Sequence, residues 1–283
     1  MSKIELKNVT KKFKDVVALD NVSLTLEENV IYGLLGRNGA GKSTMLNVIS
    51  NRLYADEGEV LIDGENVCEN DKALSKIYCM SDKNLYWDSD KVLTVFKDSK
   101  EFYKDFDMEY ALALSEKFGL SVNKKLKSLS TGYKSIFKLI IALSCNADIV
   151  FLDEPVLGLD ANHRDMFYRA LIERYSEKPA TYVISTHLIE EAADLVERCI
   201  VIKNGKIVSD EETQALVSKG YAISGASGAV DKYCDGKEKI GEDVLGNLKT
   251  AYIIGTYNEA DIPDNLEVSK LDLQKLFIQM TND

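Results

Sequence analysis

The segment Gly36–Ser43, GRNGAGKS, combines residue types and a spacing that could bind phosphate. It fits the pattern GxxxxGK[ST], follows the apolar run Val30–Gly36 and opens a helical pattern over Lys42–Leu53. Glycines let backbone N–H groups approach a phosphate closely, and the start of a helix adds the positive end of its dipole. We therefore expect this segment to be the phosphate-binding loop of a protein that binds a nucleoside triphosphate.

The members of this loop have distinct expected roles. Lys42 would place a positive charge at the β- and γ-phosphates, and the hydroxyl of Ser43 could ligate Mg²⁺. A glycine-rich turn that matches by chance is the alternative, which the flanking strand and helix disfavour. The residues expected to contact nucleotide are Gly36, Arg37, Asn38, Gly39, Ala40, Gly41, Lys42, Ser43 and Thr44.

Two adjacent acids, Asp153 and Glu154, end the apolar strand Ile149–Leu152. Adjacent residues of a strand point to opposite faces, so the two carboxylates are expected to have different roles. Asp153 suits a metal-holding role, in which it would help to coordinate Mg²⁺ through water. Glu154, redirected by the turn at Pro155, could orient or deprotonate an attacking water.

His187 follows the apolar strand Tyr182–Ser185 in the segment STHLIEEA. A lone histidine is more often a cap or a hydrogen-bonded polar group than a catalyst. However, Gly36–Ser43, the pair Asp153–Glu154 and His187 each follow a predicted parallel strand, and doubly wound sheets bind ligands at the carboxyl ends of their strands. We therefore expect His187 to lie within reach of the γ-phosphate.

The segment LSTGY (Leu129–Tyr133) lies where a loop turns into a helix. Ser130 is a favourable N-cap, so a capped core helix is the simpler interpretation. The alternative is a second anion-binding helix N-terminus, which would be useful if it closed over the nucleotide of another subunit. The apolar face expected for this helix consists of Ile136, Phe137, Ile140, Ile141 and Leu143.

The composition limits the class of protein. No apolar run approaches the roughly 18 residues of a membrane span, and MSKIELKNVT lacks the apolar stretch of a signal peptide, so we expect a soluble protein. The 5 cysteines form no CxxC pair, and only 2 histidines are present, which disfavours a disulfide framework or a zinc site. The net charge of −11 disfavours nucleic acid as a partner.

The pattern of apolar runs predicts an α/β fold. Residues 3–9 and 22–26 alternate as edge strands do, and Val60–Ile62 is a short strand closed by the turn pair Asp63–Gly64. Short apolar strands that alternate with helices indicate a mainly parallel sheet covered by helices. The later predicted strands are Ile149–Leu152, Tyr182–Ser185 and Arg198–Lys203, and residues 91–145 are mostly helical in pattern.

The composition shifts near Ser218, where glycines become frequent. Strand-like runs follow at Tyr221–Ser224 and Ala251–Tyr257, and an apolar stripe with helical spacing ends the chain at Leu273, Leu276, Phe277 and Met280. We expect residues 1–217 to form the main domain and residues 218–283 a small α/β accessory domain.

GRNGAGKS, LSTGY, IVFLDEPVLGLD and STH, in this order and spacing, resemble the nucleotide-binding domain of an ABC transporter, over about Ser2 to Val217. The resemblance implies a P-loop NTPase fold with antiparallel N-terminal strands, a helical subdomain at about 84–145, and ATP and Mg²⁺ as ligands. LSTGY corresponds to the family's signature motif, LSGGQ in most members. In that family two subunits enclose two ATP molecules, and each signature faces the γ-phosphate bound by the partner.

The resemblance also implies roles for single residues. Phe13 would stack on adenine, Glu154 would be the general base and His187 the switch histidine. The segment Gly158–Asp160 would link the two ATP sites. Ser130 and Gly132 would reach the ATP of the partner, and the phosphate and magnesium would be held by Lys42, Ser43 and Asp153.

Two departures from the family pattern matter. Thr131 replaces the first glycine of the signature and Tyr133 replaces its glutamine. A β-branched residue fits there only if the backbone is helical or extended. In the segment IYCMSDKN, Asp82 takes the place of the glutamine that touches magnesium and relays to the membrane subunit, with Asn84 as the alternative.

The leading hypothesis is the ATPase subunit of an ABC transporter, held at the inner face of the cell membrane by a separate permease chain and acting as a homodimer or heterodimer. The order of phosphate loop, short helical region and signature, together with the C-terminal extension, most resembles bacterial ABC-2-type exporters. Within them, LSTGYKSIFKLIIALS and DEPVLGLDANHRDMFYR are similar to subunits for peptide or antibiotic efflux. The alternatives are an importer subunit, a soluble ABC protein of ribosomes or DNA, and another P-loop enzyme such as a small-molecule kinase. The single cassette counts against the ribosome class, and the short interval between phosphate loop and signature leaves no room for the long coiled coil of the DNA class. The acidic net charge counts against both.

Overall fold

A computed structural model describes residues 2–81, 85–186 and 189–281 of the chain. The strands are β1 (Ile4–Phe13), β2 (Val16–Leu26), β3 (Ile31–Leu35), β4 (Glu57–Ile62), β5 (Glu65–Asn66), β6 (Ile77–Met80), β7 (Ile149–Asp153), β8 (Thr181–Ser185), β9 (Arg198–Lys203), β10 (Lys206–Glu212), β11 (Gly220–Ala226), β12 (Lys239–Leu245), β13 (Leu248–Ile254) and β14 (Leu266–Lys270). The helices are α1 (Lys42–Ile49), α2 (Asp71–Leu74), α3 (Val92–Phe102), α4 (Met108–Lys117), α5 (Thr131–Ser144), α6 (Ala161–Glu177), α7 (Ile189–Ala192), α8 (Thr213–Val217), α9 (Ser227–Cys234) and α10 (Leu273–Thr281), with short 3₁₀ turns at Leu126–Ser128 and Glu259–Asp261.

The central sheet has the strand order β10-β9-β3-β8-β7-β6. Every neighbouring pair in it is parallel except β9 and β10, which form an antiparallel hairpin. All five residues of β3 and all five of β8 are buried, as expected for parallel strands covered on both faces. The predicted α/β fold with a mainly parallel sheet is confirmed.

The N-terminal strands form a separate antiparallel sheet in the order β2-β1-β4-β5. Its inner face is apolar and buried at Ile4, Leu6 and Leu24, which matches the predicted alternation of apolar and polar residues. The turn pair Asp63–Gly64 joins β4 to β5, with both residues at positive φ. This sheet packs against α1 and the central sheet.

The helical region between β6 and β7 contains α3, α4 and α5. The predicted apolar face of α5 is buried in one cluster with Phe96 of α3 and Leu114 of α4. Arg174 of α6 attaches this region to the rest of the chain. Its side chain is only 3% exposed, donates to the Leu143 carbonyl at 3.1 Å and to Asp107 Oδ2 at 3.1 Å, and lies over the Tyr110 ring.

Residues 220–270 contain a third sheet with the order β12-β13-β11-β14, and all its pairings are antiparallel. In the C-terminal region, β11 and α10 match predicted elements, whereas β12, β14 and α9 were not predicted. The strand β12 was missed because it is an exposed edge strand rich in charged residues and lacks an apolar alternation. The C-terminal region packs on the core through Ala222 of β11, Leu271 and Leu276 of α10, which share a buried cluster with Val196 and Leu216.

Several predicted boundaries were wrong, since β1, β2 and β4 extend beyond the predicted ranges 3–9, 22–26 and 60–62. The helix α1 ends at Ile49 rather than at Leu53, because Asn51 adopts the left-handed conformation that ends helices. The strand β13 covers Leu248–Ile254 rather than Ala251–Tyr257, since Gly255 has a φ of 125° and leaves the sheet. Within the described ranges, none of the helices combines the length and the apolar character that crossing a membrane requires.

The buried guanidinium of Arg174 generates a stability prediction. Arg174→Ala should lower the free energy of unfolding by about 3 kcal/mol, because it leaves Asp107 and the Leu143 carbonyl without their partner. Arg169 lies on the same helix in an exposed ion pair with Asp165, so Arg169→Ala should cost less than about 1 kcal/mol. Denaturant unfolding of the two variants measures the difference, and equal losses would contradict the assigned role of Arg174.

Candidate active site

The loop Gly36–Gly41 connects β3 to α1 and is held from two sides. The Ala40 N–H donates to the Arg37 carbonyl at 3.0 Å, and the Gly205 N–H donates to the Ala40 carbonyl at 2.9 Å. Gly41 has a φ of 115°, and a Cβ built there would lie 2.5 Å from the carbonyl oxygen of Ala18. Only glycine fits this position, so the loop keeps the tight path that aims its N–H groups at a phosphate.

Lys42 is the first residue of α1 and is only 7% exposed. Its Nζ donates to the Gly36 carbonyl at 2.6 Å, which keeps the ammonium at the mouth of the loop. Burial lowers the pKa of Lys42, and the carboxylates of Glu154 and Asp153 act in the opposite direction. The buried ammonium of Lys42 is therefore kept charged by the two acids and can pair with a bound phosphate.

The central strands bring the loop and the two acids to one edge of the sheet. Leu34 of β3 and Asp153 of β7 both pair with Ser185 of β8, so the three positions lie side by side. The chain leaves β3 towards the loop and leaves β7 towards Glu154 at the carboxyl ends of the strands. The prediction that these segments meet at one sheet edge is confirmed.

Two buried oxygens at this edge lack partners. Asp153 Oδ1 and Ser185 Oγ have no hydrogen-bond partner within the part of the chain that the structure describes. Buried polar atoms are nearly always satisfied, so these two oxygens are available to a bound group. Carboxylate and hydroxyl oxygens are ligands that suit Mg²⁺ or its bound water.

The donor set fits Mg²⁺ bound together with a nucleotide. Across residues 2–81, 85–186 and 189–281, no group of three or more His, Cys, Asp and Glu side chains could hold a metal by itself. Mg²⁺ is usually held by one or two protein oxygens and by substrate phosphates rather than by an all-protein cage. Ser43 at the start of α1 and Asp153 at the end of β7 are the oxygens that the fold offers.

Glu154 has a φ of 49°, a left-handed conformation that is uncommon outside glycine and asparagine. Its N–H donates to the Ser185 carbonyl at 2.8 Å, which holds this backbone in place. The sequence assigned the change of direction to Pro155, but the structure places the turn in Glu154 itself. Strain of this kind collects at functional sites, where the surrounding structure enforces it.

The predicted N-cap at Ser130 is present, since its Oγ accepts from the Tyr133 N–H at 3.3 Å. Thr131 is the first residue of α5, so it has the ordinary helical backbone that a β-branched residue tolerates. A Cβ at Gly132 would lie 2.9 Å from the Gly158 carbonyl oxygen. The signature segment therefore packs directly on the predicted linking segment Gly158–Asp160.

Phe13 ends β1 at the tip of the β1–β2 hairpin, and its side chain is 44% exposed. The Lys11 ammonium lies 5.6 Å from the centre of its ring. The same hairpin carries Ala18, which touches the loop at Gly41. An exposed aromatic ring on the hairpin that supports the phosphate loop fits the predicted stacking on adenine.

A cavity of about 270 Å³ borders the outer side of the loop. It is lined by Arg37–Ala40, Ile202, Lys203, Asn204 and Thr281. Thr281 is the last residue of α10, so the C-terminal helix and the phosphate loop line the same cavity. No local feature of the sequence predicts this proximity.

Three predicted residues, His187, Asp82 and its alternative Asn84, lie outside the described residues. The residues next to these positions are described. Lys138 Nζ of α5 donates to the Ser81 carbonyl at 2.9 Å, immediately before the segment that contains Asp82. The sequence analysis also missed Gly205, although Asn204–Gly205 between two apolar runs is a strong hairpin signal that could have revealed it.

Comparison with known proteins gives the family. A sequence profile described as ABC transporter matches residues 19–157. The ABC transporter ATP-binding protein YtrB of Bacillus subtilis (strain 168) is 30% identical over 206 residues, 73% of this chain and 70% of that protein. The uncharacterized ABC transporter ATP-binding protein MJ1023 of Methanocaldococcus jannaschii is 34% identical over 212 residues, 73% and 76% of the two chains. The ribose import ATP-binding protein RbsA of Lacticaseibacillus paracasei is 26% identical over 77% of this chain, but only 46% of that protein is covered.

Solved structures agree in fold. The dimeric structure of MJ0796, a bacterial ABC transporter cassette, superposes with a TM-score of 0.66 at 29% identity, over 74% of this chain and 98% of that chain. Together with the motifs at one sheet edge, these matches define the class of protein as a nucleotide-binding cassette. The chain belongs to the ABC transporter ATP-binding proteins, and it is an ATP-binding subunit of the ABC ATPase family.

The close approach at Gly41 generates a prediction about nucleotide affinity. Gly41→Ala should raise the Kd for ATP at least about tenfold, because the new Cβ would collide with the Ala18 carbonyl and push the loop out of place. Gly64 also has a positive φ, but a Cβ there meets nothing within 4 Å, so Gly64→Ala imposes similar backbone strain without a collision and serves as the control. Titration with a fluorescent ATP analogue measures both. If Gly41→Ala and Gly64→Ala bound ATP equally well, the assigned role of the close approach would be wrong.

Proposed function

We propose that this protein hydrolyses ATP to power transport through a separate membrane-spanning partner, and that the direction is export. The observation that carries the proposal is the convergence of the phosphate loop, Lys42 and the two acids at one edge of the parallel sheet. The proposed functional unit is the cassette of residues 1–217, with residues 218–283 as an accessory domain.

Each of the proposed site residues has a separate role in hydrolysis. The loop N–H groups and Lys42 hold the phosphates, and Phe13 stacks on adenine. Glu154 accepts the proton of a water that attacks the γ-phosphorus, while the bond to the bridging oxygen of ADP breaks. His187 contacts the γ-phosphate in this proposal. Mg²⁺, bound through Ser43, Asp153 and Asp82, would neutralise charge on the phosphates.

A second cassette, either another copy or a related chain, completes the site. The start of α5 is solvent-accessible at Ser130 and Thr131, so its free N–H groups can face a phosphate on another subunit. Gly132 has no Cβ, so no side chain blocks the approach of a phosphate to these N–H groups. The dimeric state of the MJ0796 structure supports the same arrangement for this chain.

An apolar surface next to the nucleotide edge suits the membrane partner. Trp87 is 79% exposed and Leu85 is 61% exposed, immediately after the segment that contains Asp82. Between them, Tyr86 packs edge-on against Phe137 of α5 at a centroid distance of 5.2 Å, which fixes the segment to the helical region. Exposed large apolar side chains that are held in place are typical of interaction sites. Docking here would hold the protein at the cytoplasmic face of the cell membrane.

The proposed direction rests on the resemblance of the whole cassette and its C-terminal extension to ABC-2-type exporters. A peptide or an antibiotic is the proposed cargo class. Import is the second candidate, and the match to RbsA favours it.

The assignment of the general base predicts separate effects on binding and on turnover. Glu154→Gln should lower kcat for ATP hydrolysis by about 10²–10⁴-fold and leave ATP affinity nearly unchanged, because the proton acceptor is lost while the phosphate loop stays intact. Lys42→Ala is the contrasting variant, since loss of the buried ammonium should weaken ATP binding about tenfold or more. Phosphate release and ATP titration measure the two quantities. Near-normal turnover by Glu154→Gln would refute the role of the base.

The proposed docking surface predicts a loss of partner binding. Trp87→Ser should reduce co-purification of a polytopic membrane protein with the tagged chain by about tenfold, because a large exposed anchor is removed. Leu245 is equally apolar and 82% exposed, but it lies in the C-terminal sheet, so Leu245→Ser is the control. Quantitative mass spectrometry of the two preparations gives the comparison. Equal amounts of the membrane protein would rule out this surface.

A further inference from the structure

Two helix starts with the same arrangement of N-cap and ring contact each other. In α5 the N-cap is Ser130 and the third helical residue is Tyr133. In α6 the N-cap is Asp160 and the third helical residue is His163. The rings of Tyr133 and His163 meet edge to face at a centroid distance of 6.1 Å. The start of the signature helix is thus in contact with the helix that follows the segment Gly158–Asp160.

His163 holds the Asp160 carboxylate from two directions. Its backbone N–H donates to Oδ1 at 2.9 Å, and its ring Nδ1 lies 3.0 Å from Oδ1 and 2.9 Å from Oδ2. With the acid as acceptor, Nδ1 carries the proton. These hydrogen bonds lower the pKa of the Asp160 carboxyl and keep it ionised. Although Asp160 is mostly exposed, its orientation is therefore set by His163.

The His163 ring is itself held by the helical region. Phe118, at the end of α4, stacks on it nearly parallel at a centroid distance of 6.3 Å. Tyr133 provides the other ring, and its hydroxyl extends towards Gly119, where a Cβ would lie 3.5 Å away. Aromatic pairs in these geometries are favourable. His163 therefore bridges two parts of the fold that are far apart in sequence.

The two segments also touch through their backbones. Ser135 Oγ donates to the Leu157 carbonyl at 3.0 Å, and Gly132 lies against the Gly158 carbonyl. These contacts fix the distance between the segments. The pair Tyr133–His163 also fixes the orientation of the two segments relative to each other. The Tyr133 ring of α5 contacts His163, and His163 holds the charged N-cap Asp160 of α6.

We propose that His163 is a positioning residue that ties the signature segment Leu129–Tyr133 to Asp160, so that both are presented to the second subunit in one fixed arrangement. The inference rests on the proposed function, in which the signature acts on the ATP of a partner. Within that function, Tyr133 and His163 act together, and the tyrosine in place of the signature glutamine is the partner that the histidine ring requires.

Two substitutions at His163 separate its two contacts. His163→Phe keeps a ring between Phe118 and Tyr133 but loses the side-chain donor to Asp160, and His163→Gln keeps a side-chain donor but loses the ring; the backbone N–H donor is unchanged in both. Both should lower kcat for ATP hydrolysis about fivefold to twentyfold with KM for ATP unchanged within about twofold, because the nucleotide-binding loop is untouched. Asn162→Ala, an exposed neighbour in the same turn, is the matched control and should retain the wild-type kcat.

A double-mutant cycle tests the pairing itself. Tyr133→Leu should lower kcat in the wild-type background but have no further effect in the His163→Gln background. Tyr133→Phe, which retains the ring, should restore most of the loss seen in Tyr133→Leu. The inference would be overturned if the losses in kcat caused by the two single substitutions multiplied in the double variant. It would also be overturned if the His163 variants had the same kcat as Asn162→Ala.

A second readout does not depend on hydrolysis. Amide hydrogen exchange in residues 130–136 should be faster in His163→Gln than in wild type and unchanged in Asn162→Ala, because the signature helix loses its tie. Equal exchange in all three proteins would overturn the inference even if ATP were hydrolysed normally. Hydrolysis that is insensitive to Glu154→Gln would instead count against the proposed function, and the exchange comparison would still decide the role of His163.

Discussion

The parallel register of three central strands is the constraint on which the rest of the site depends. Leu34, Ser185 and Asp153 lie side by side across β3, β8 and β7, and this alignment delivers the phosphate loop and both acids to one edge. A slip of one residue in β7 would turn Asp153 to the opposite face of the sheet. The register is held by apolar runs that are buried on both faces, so the hydrophobic core directly sets the geometry of the charged site.

The backbone is constrained at each place where the cassette would bind phosphate, by a close approach or by an unusual dihedral angle. Gly41 passes beneath the Ala18 carbonyl, Gly132 lies against the Gly158 carbonyl, and Glu154 takes a left-handed φ. Each contact restricts the residue type or strains the backbone, and the packed sheet and helices hold it in place. The N-terminal sheet, the helical region and the linking segment thereby support one site from different directions.

The sequence predicted best what is local in the chain. The phosphate loop, the Ser130 cap and the apolar strands were identified because their chemistry and their spacing lie within a few residues. Relations between distant segments, such as the contact of His163 with Tyr133 or the cavity shared by Thr281 and the phosphate loop, depend on the tertiary fold and carry no local signal. The edge strand β12 was missed for a related reason, since its charged, exposed side chains have no core-facing pattern.

The central claim is that this chain forms half of an ATP-driven pair of cassettes on a membrane partner. The most direct test is the native mass of the Glu154→Gln protein isolated from solubilised membranes with ATP present. The account predicts a particle with two cassettes, either two copies or this chain with a related one, and a polytopic membrane protein. Removal of ATP should separate the cassettes from each other. A particle with a single cassette, or one bound to ribosomes or DNA, would contradict the account.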